Sequence, residues 1–449
     1  MMWTYVASIG ANAADITVRL CFAGEPAAAL RPVVPEALEH VAEITIEGRD
    51  ARLTAEDGVV SLAGMKPSEC VRWRVDFDAI ADAERSRDAR RAGDSVLVRQ
   101  SMWLLWPSDA PTDAAPTITL SLPTGVDASV PWRPISAHGG SSMTYALDFT
   151  ASRWLGYNAF GKIEAQRFEY RGAKIEIAKL DEPLACDADC LRAWISDAVD
   201  GTATLYGEYP RDRLQIVVVP VDGGSGGVYF GAAARGGGAG VYLLLDTNAK
   251  AEQINGGWTT VHELLHHGMP FVKDPWMAEG FVSYYTEITR TRQGHRDEAK
   301  GWLELWNAFE RGRSGGRGMK LDATSRNMHE TFAYQRVYWG GAAIAFDIDV
   351  TMRLATGGRR GFDDAMKHLR KCCGDATSMY DAETLLEELD RWYGDPIFTR
   401  IASAHLQSSE LADVERIYAR LGMRHDGKAI VMDDAHPAAA MRKVIMAPR

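Results

Sequence analysis

TTVHELLHHGMP, residues 259 to 270, decides how the rest of the chain is read. Val261, Leu264 and Leu265 recur at helical spacing, so the segment reads as a helix with one buried face. Positions four apart on a helix share a face, about 40° out of register, and His262 and His266 therefore present both imidazoles to one ion. Glu263 points aside, where a carboxylate accepts a proton from a metal-bound water instead of ligating the metal. With 11 histidines in 449 residues, about 0.02 chance matches to HExxH are expected in such a chain. The pattern is accordingly read as chemistry and not as a polar helix face with two incidental histidines.

A hydrolytic zinc site takes three protein ligands and leaves one position for water. A metzincin would place its third histidine at a fixed spacing after a glycine; here Gly268 is one residue early and no histidine follows until His295, which excludes that arrangement. Downstream, KDPWMAEGFVSYYTE (273 to 287) puts Glu279 on a second helix, with Gly268 to Pro275 turning the chain back, so Glu279 is the expected third ligand. His267 points about 100° away from His266 and is expected to pack or support. Glu287, two turns after Glu279, is read as a solvated helix face, with a hydrogen bond to a ligand histidine as the alternative.

Upstream of this centre the pattern favours strands: 16–22, 42–48, 71–77, 95–106, 117–123 and 174–180 alternate or run apolar between turn clusters, which predicts an N-terminal β-sandwich over 1–182. WPSDAPTDAAP (106–116) and HGGSS (138–142) read as loops on it. From Asp187 the period changes to a helix, followed by buried strands at 214–221 and 240–246, an α/β region assigned to 183–310. GGSGGVYFGAAARGGG (223–238) is too glycine-rich for regular structure and is expected to be a loop or hairpin connection. The edge of strand 240–246 offers main-chain pairing to an extended peptide, unless that strand is interior. Residues 311–449 are mostly helix-like and form the third expected domain. The fold class is thus multidomain α+β.

Fifty Lys and Arg against sixty-one Asp and Glu leave a net charge of −11, so a phosphate backbone is repelled and nucleic acid is excluded as a partner. No apolar run approaches the ~18 residues of a membrane span. The six cysteines form no CxxC zinc knuckle and are expected to be reduced packing residues. MMWTYVASIGANAAD lacks the basic and strongly apolar regions of an export signal, although Ala11-Asn12-Ala13 resembles a cleavage site. As written the chain reads as cytoplasmic, or as periplasmic or secreted if a signal was trimmed.

Trp276-Met277-Ala278-Glu279-Gly280-Phe281, followed by Ser283-Tyr284-Tyr285, resembles the segment that supplies the glutamate ligand in the M1 and M61 families of gluzincin peptidases. Tyr338-Trp339-Gly340-Gly341-Ala342 is similar to the helix where those families carry a transition-state-stabilising tyrosine. The similarity to the M61 glycyl aminopeptidase family is the closer one, and it runs over roughly residues 70–422. It implies a thermolysin-like catalytic domain over 183–310, one zinc ion on His262, His266 and Glu279, Glu263 as general base acting on a zinc-activated water, and Tyr338 as oxyanion donor, with Tyr334 the nearest rival. The implied substrate is a peptide or protein.

Three departures are visible. Only 12 residues separate His266 from Glu279, fewer than in either family. The M1 motif whose glutamate grips a free amine has no clear match in GGGAGVYLLLDTN (236–248); Asp246 and Glu252 are merely the nearest acids. A PDZ domain like that of M61 has no room in the 27 residues after Gly422. The expected function is zinc-dependent peptide-bond hydrolysis, aminopeptidase-like, with an endopeptidase or a non-catalytic zinc- and peptide-binding module as alternatives. GGSGG (223–227) matches a serine nucleophile elbow in form only, because no helix opens after it. The basic stretch Arg311 to Lys320 is read as a solvated interhelical loop.

Overall fold

A computed structural model describes residues 2–83, 88–111, 113–137, 141–148, 156–224, 226–235, 237–315, 318–375 and 378–448. It forms two compact units, Met1–Ala193 with Arg211–Ile254, and Trp194–Pro210 with Asn255–Arg449. Among the described residues no helix is long and apolar enough to cross a membrane.

The first unit is sheet-rich. Its seven-stranded sheet runs in the order 133–137, 142–146, 117–121, 3–9, 15–22, 70–76, 41–46, and the unit also holds two four-stranded sheets. Strict alternation builds the inner face: Ile16, Val18, Leu20 and Phe22 are buried on one strand, Trp3, Tyr5, Ala7 and Ile9 on its antiparallel neighbour. The latter strand lies in the N-terminal stretch that the sequence reading weighed only against an export signal and to which it assigned no strand. The predicted strand 95–106 is broken into Ser95–Arg99, a turn at Gln100–Met102 and a short bridge at Trp106–Pro107. The physical reason is the unbroken apolar run Met102 to Trp106: all five side chains are buried, and alternation on a strand would send every second one to the opposite face. Two indoles of this core place their N–H groups on acceptors, Trp73 on Trp103 O at 2.9 Å and Trp132 on Gln100 Oε1 at 2.9 Å.

A five-stranded sheet belongs to the same unit, in the order 164–170, 173–179, 213–221, 240–246, 228–234. The strands 173–179, 213–221 and 240–246 are parallel neighbours, and Val228–Ala234 closes the edge antiparallel to Gly240–Asp246. This corrects the reading of 223–238 as irregular, because Val228, Tyr229 and Phe230 start a strand that Gly231 and three alanines continue. It also makes 240–246 an interior strand. Of HGGSS, residues 138–140 lie outside the described residues; Ser142 begins a strand.

All six cysteines are paired, as Cys21–Cys70, Cys186–Cys190 and Cys372–Cys373, against the expectation of reduced packing residues. The first pair joins directly opposed residues of two neighbouring strands, a relation that sequence spacing does not reveal.

The second unit is helical, its principal helices being 258–266, 275–292, 298–314, 334–356, 362–373, 382–393 and 397–406. Helices 275–292 and 334–356 touch backbone to backbone. A Cβ on Gly280 would stand 2.4 Å from Gly341 Cα, and one on Gly341 would stand 1.8 Å from the Trp276 carbonyl oxygen. Only glycine permits that approach. Further along the same helix pair, Asp349 accepts from Tyr284 and Arg353, while Asp363 accepts from Tyr285, Arg292 and Arg353. All of these side chains are buried, so the charges are compensated inside the unit.

Candidate metal centre

The helix Trp258–His266 starts after Gly257 and buries Val261, Leu264 and Leu265. His262 and His266 lie on its other side. The chain then turns at Gly268, where a Cβ would meet the Tyr206 ring at 2.2 Å. It pairs Phe271–Val272 with Met379–Tyr380 and enters the next helix at Pro275. Ala382 N–H donates to Asp274 Oδ2 at 2.8 Å, which fixes the entry of that helix. The 12-residue connection is therefore long enough to bring Glu279 back to the histidines.

Three donor atoms converge. His262 Nε2 is 3.2 Å from His266 Nε2, and Glu279 Oε2 is 3.1 Å from the former and 3.4 Å from the latter. Tetrahedral zinc with bonds of about 2.0–2.1 Å separates its ligand atoms by about 3.3 Å, so a zinc-sized ion fits this triangle without rearrangement. Burial on its own would raise the Glu279 carboxyl, but the neighbouring His266 and His262 hold it well below the usual carboxylate range and keep it ionised.

His262 is wedged between rings. Trp258, one turn earlier, stacks on it at 4.2 Å, and Tyr338 lies parallel to it at 5.9 Å. Thr286 Oγ1 donates to Val282 O at 2.8 Å and faces His262 Nδ1 at 3.3 Å. With its proton committed to that carbonyl, the threonine oxygen accepts from Nδ1–H, which leaves the Nε2 lone pair aimed at the other donors. Sequence reading missed Thr286; its signal was the seven-residue spacing from Glu279, two turns along the same face. It considered Glu287 instead. That residue is buried and not solvated, and its carboxylate is paired with Arg296 at 2.7 Å and Arg290 at 3.6 Å.

Tyr338 is half-buried and hydrogen-bonds Glu279; burial first, then the charges of Glu279 and Glu263, push its phenol far above its ordinary pKa. It is a neutral donor at every physiological pH. Tyr334, the rival, meets His329 Nδ1 at 3.3 Å instead. Glu263 is half-buried beside the triangle, and its charge is felt at Tyr338. His267 is buried and bonded to Tyr209 Oη through Nδ1 at 2.6 Å, a packing role.

Asp246 accepts from Gly226 N–H, Tyr229 and Asn248 N–H within the first unit, and Glu252 is exposed. The segment 223–227 runs into a strand, as the dismissal of a nucleophile elbow requires; Ser225 lies outside the described residues. Arg313 is paired with Glu415 at 3.0 Å and Arg311 covers the Trp339 ring, so the basic stretch is largely spent on structure.

No protein-family model and no curated protein matches the sequence. Solved structures do. An aminopeptidase N family protein from Idiomarina loihiensis superposes with a TM-score of 0.75 at 17% identity, over 94% of this chain and 79% of that one. An M1 zinc metallopeptidase from Deinococcus radiodurans gives 0.56 at 15% identity, over 92% and 94%. Yeast LTA4 hydrolase gives 0.55 at 14%, over 90% and 66%. The chain thus has the multidomain α+β fold of the M1 zinc aminopeptidases, with a sheet-rich N-terminal part and a helical C-terminal part.

Proposed function

We propose that the chain is a zinc-dependent peptidase, aminopeptidase-like, with one zinc ion held by His262, His266 and Glu279. The observation that carries the reading is the triangle of donor atoms at 3.1, 3.2 and 3.4 Å. A zinc ion there would supply Lewis acidity toward the scissile carbonyl and make water a nucleophile near neutral pH. Glu263 takes the proton of the attacking water and returns it to the leaving amine. Tyr338, held neutral, donates to the oxyanion as it develops. Thr286 and Trp258 hold the His262 ring in place.

The finer resemblance to M61, the thermolysin-like character of 183–310 and the three-domain division at 182 and 310 belong to the same proposal. The first two rest on the sequence segments 276–285 and 338–342, and the division rests on the change of hydrophobic pattern along the chain. The substrate is a peptide or protein. Neither Asp246, which is engaged in its own unit, nor the exposed Glu252 supplies an evident amine-binding carboxylate, so cleavage within a peptide is the second reading.

The test is mass-spectrometric mapping of products from a mixed peptide library incubated with zinc-loaded protein. Loss of single residues from free N-termini is expected. Internal cuts would replace the aminopeptidase reading by the endopeptidase one, and an absence of any cleavage by protein that retains zinc would favour a binding module.

A further inference from the structure

The helix Phe362–Cys373 ends on two adjacent cysteines whose sulfurs are joined. One turn before Cys372, on the same face, stands His368. Its Nε2 lies 2.8 Å from Glu388 Oε1, which the helix Ala382–Tyr393 contributes. One ligand atom from each of His368, Cys372 and Glu388 lies within 4.8 Å of the others. Both partners of the sulfur are oriented: the imidazole stacks on Trp392 at 5.0 Å, and Arg391 holds the second carboxylate oxygen at 2.7 Å. Arg391 and then His368 keep Glu388 below the usual carboxylate range, hence charged.

An imidazole–carboxylate pair between two helices is an ordinary clasp and needs no sulfur. Here the sulfur is present, and its oxidation state decides what it can do. A disulfide sulfur is a poor metal ligand, whereas a thiolate is among the strongest. Thiolate, imidazole and carboxylate form a mixed set of the kind zinc accepts, and the exposure of Cys372 leaves a route to solvent and a fourth position for water.

We propose that this corner is a second, redox-gated metal site: opening the Cys372–Cys373 bond lets Cys372, His368 and Glu388 bind a thiophilic divalent ion such as zinc, and closing the bond expels it. Opening takes two electrons and two protons. A dithiol reductant supplies both and becomes a disulfide; a phosphine does the same with one water and ends as its oxide. The Cys372 thiol then releases its proton as the sulfur binds the ion. The site shares no residue with His262, His266 and Glu279.

The experiment titrates cobalt(II) and zinc into the full chain before and after anaerobic phosphine treatment. The untreated protein is expected to bind one equivalent, and the reduced protein two. The second cobalt should bring a sulfur-to-metal charge-transfer absorption that the sulfur-free HExxH set cannot give, so failure of the peptidase reading would remove the first equivalent and not this band. Cys373→Ser, which cannot close the bond, should bind the second ion without reductant while the other two disulfides stay shut. Cys372→Ser and His368→Ala should lack it, reduced or not. The proposal is overturned if Cys373→Ser binds no second equivalent, or if reduced Cys372→Ser shows the same band through the thiols of the other pairs.

Discussion

In the proposed site Tyr338 and Thr286 have separable roles. Tyr338→Phe removes the proposed donor to the oxyanion but leaves the ring that lies parallel to His262. The expected loss in kcat is about 10²- to 10³-fold, with KM and zinc content nearly unchanged; steady-state kinetics with metal analysis checks it. Thr286→Val keeps the shape and deletes the acceptor for His262 Nδ1. Zinc affinity should fall by about 10- to 100-fold, read by chelator competition, and activity should return at high zinc. His262, Glu263 and His266 were legible in the sequence because a helix converts a four-residue spacing into proximity. Thr286 was not, since a hydroxyl carries no signal until the ring it faces is known. The disulfide partners were hidden in the same way: Cys21 and Cys70 are 49 residues apart and meet only through strand register.

At the level of elements, the contact of helices 275–292 and 334–356 sets where Tyr338 stands relative to Glu279. The paired glycines in EGF and YWGGA mark it, and the reason for them is a backbone approach too close for any Cβ. Gly341→Ala would push the methyl onto the Trp276 carbonyl and should destabilise the protein by about 1–3 kcal/mol. Because the helices must part, kcat should fall along with the melting temperature, whereas Gly357→Ala, at a left-handed helix end with open space around it, should lower only the latter. Strand elements with clear alternation, such as 15–22 and 70–76, were legible from pattern. The edge strand 228–234 was not, because its glycine and alanines carry no β signal and only its pairing with 240–246 makes it a strand.

For the whole molecule, the helical unit depends on buried charges that compensate each other across distant segments. Asp363 accepts from Arg292, Arg353 and Tyr285 with almost no solvent access. Asp363→Ala should therefore destabilise by about 3–5 kcal/mol, measurable by denaturant unfolding. Asp347 predicts an acid limb. Burial would raise its pKa, but His405 and Arg420 win and hold it below the usual carboxylate range. A depressed carboxylate contributes stability above its unfolded pKa, about 3.9, and loses it as pH falls through the folded value. Asp347→Asn should thus be less stable at pH 7, and the difference from wild type should shrink on acidification below about pH 4.

The central claim is tested most directly by zinc content and peptide turnover measured together on wild type and Glu263→Gln. The account predicts one zinc per chain in both proteins, retained through His262, His266 and Glu279. It predicts hydrolysis by wild type alone, with a loss of about 10²- to 10⁴-fold in the variant. Turnover surviving in Glu263→Gln, or a wild-type protein that hydrolyses peptides after its zinc has been stripped, would contradict it.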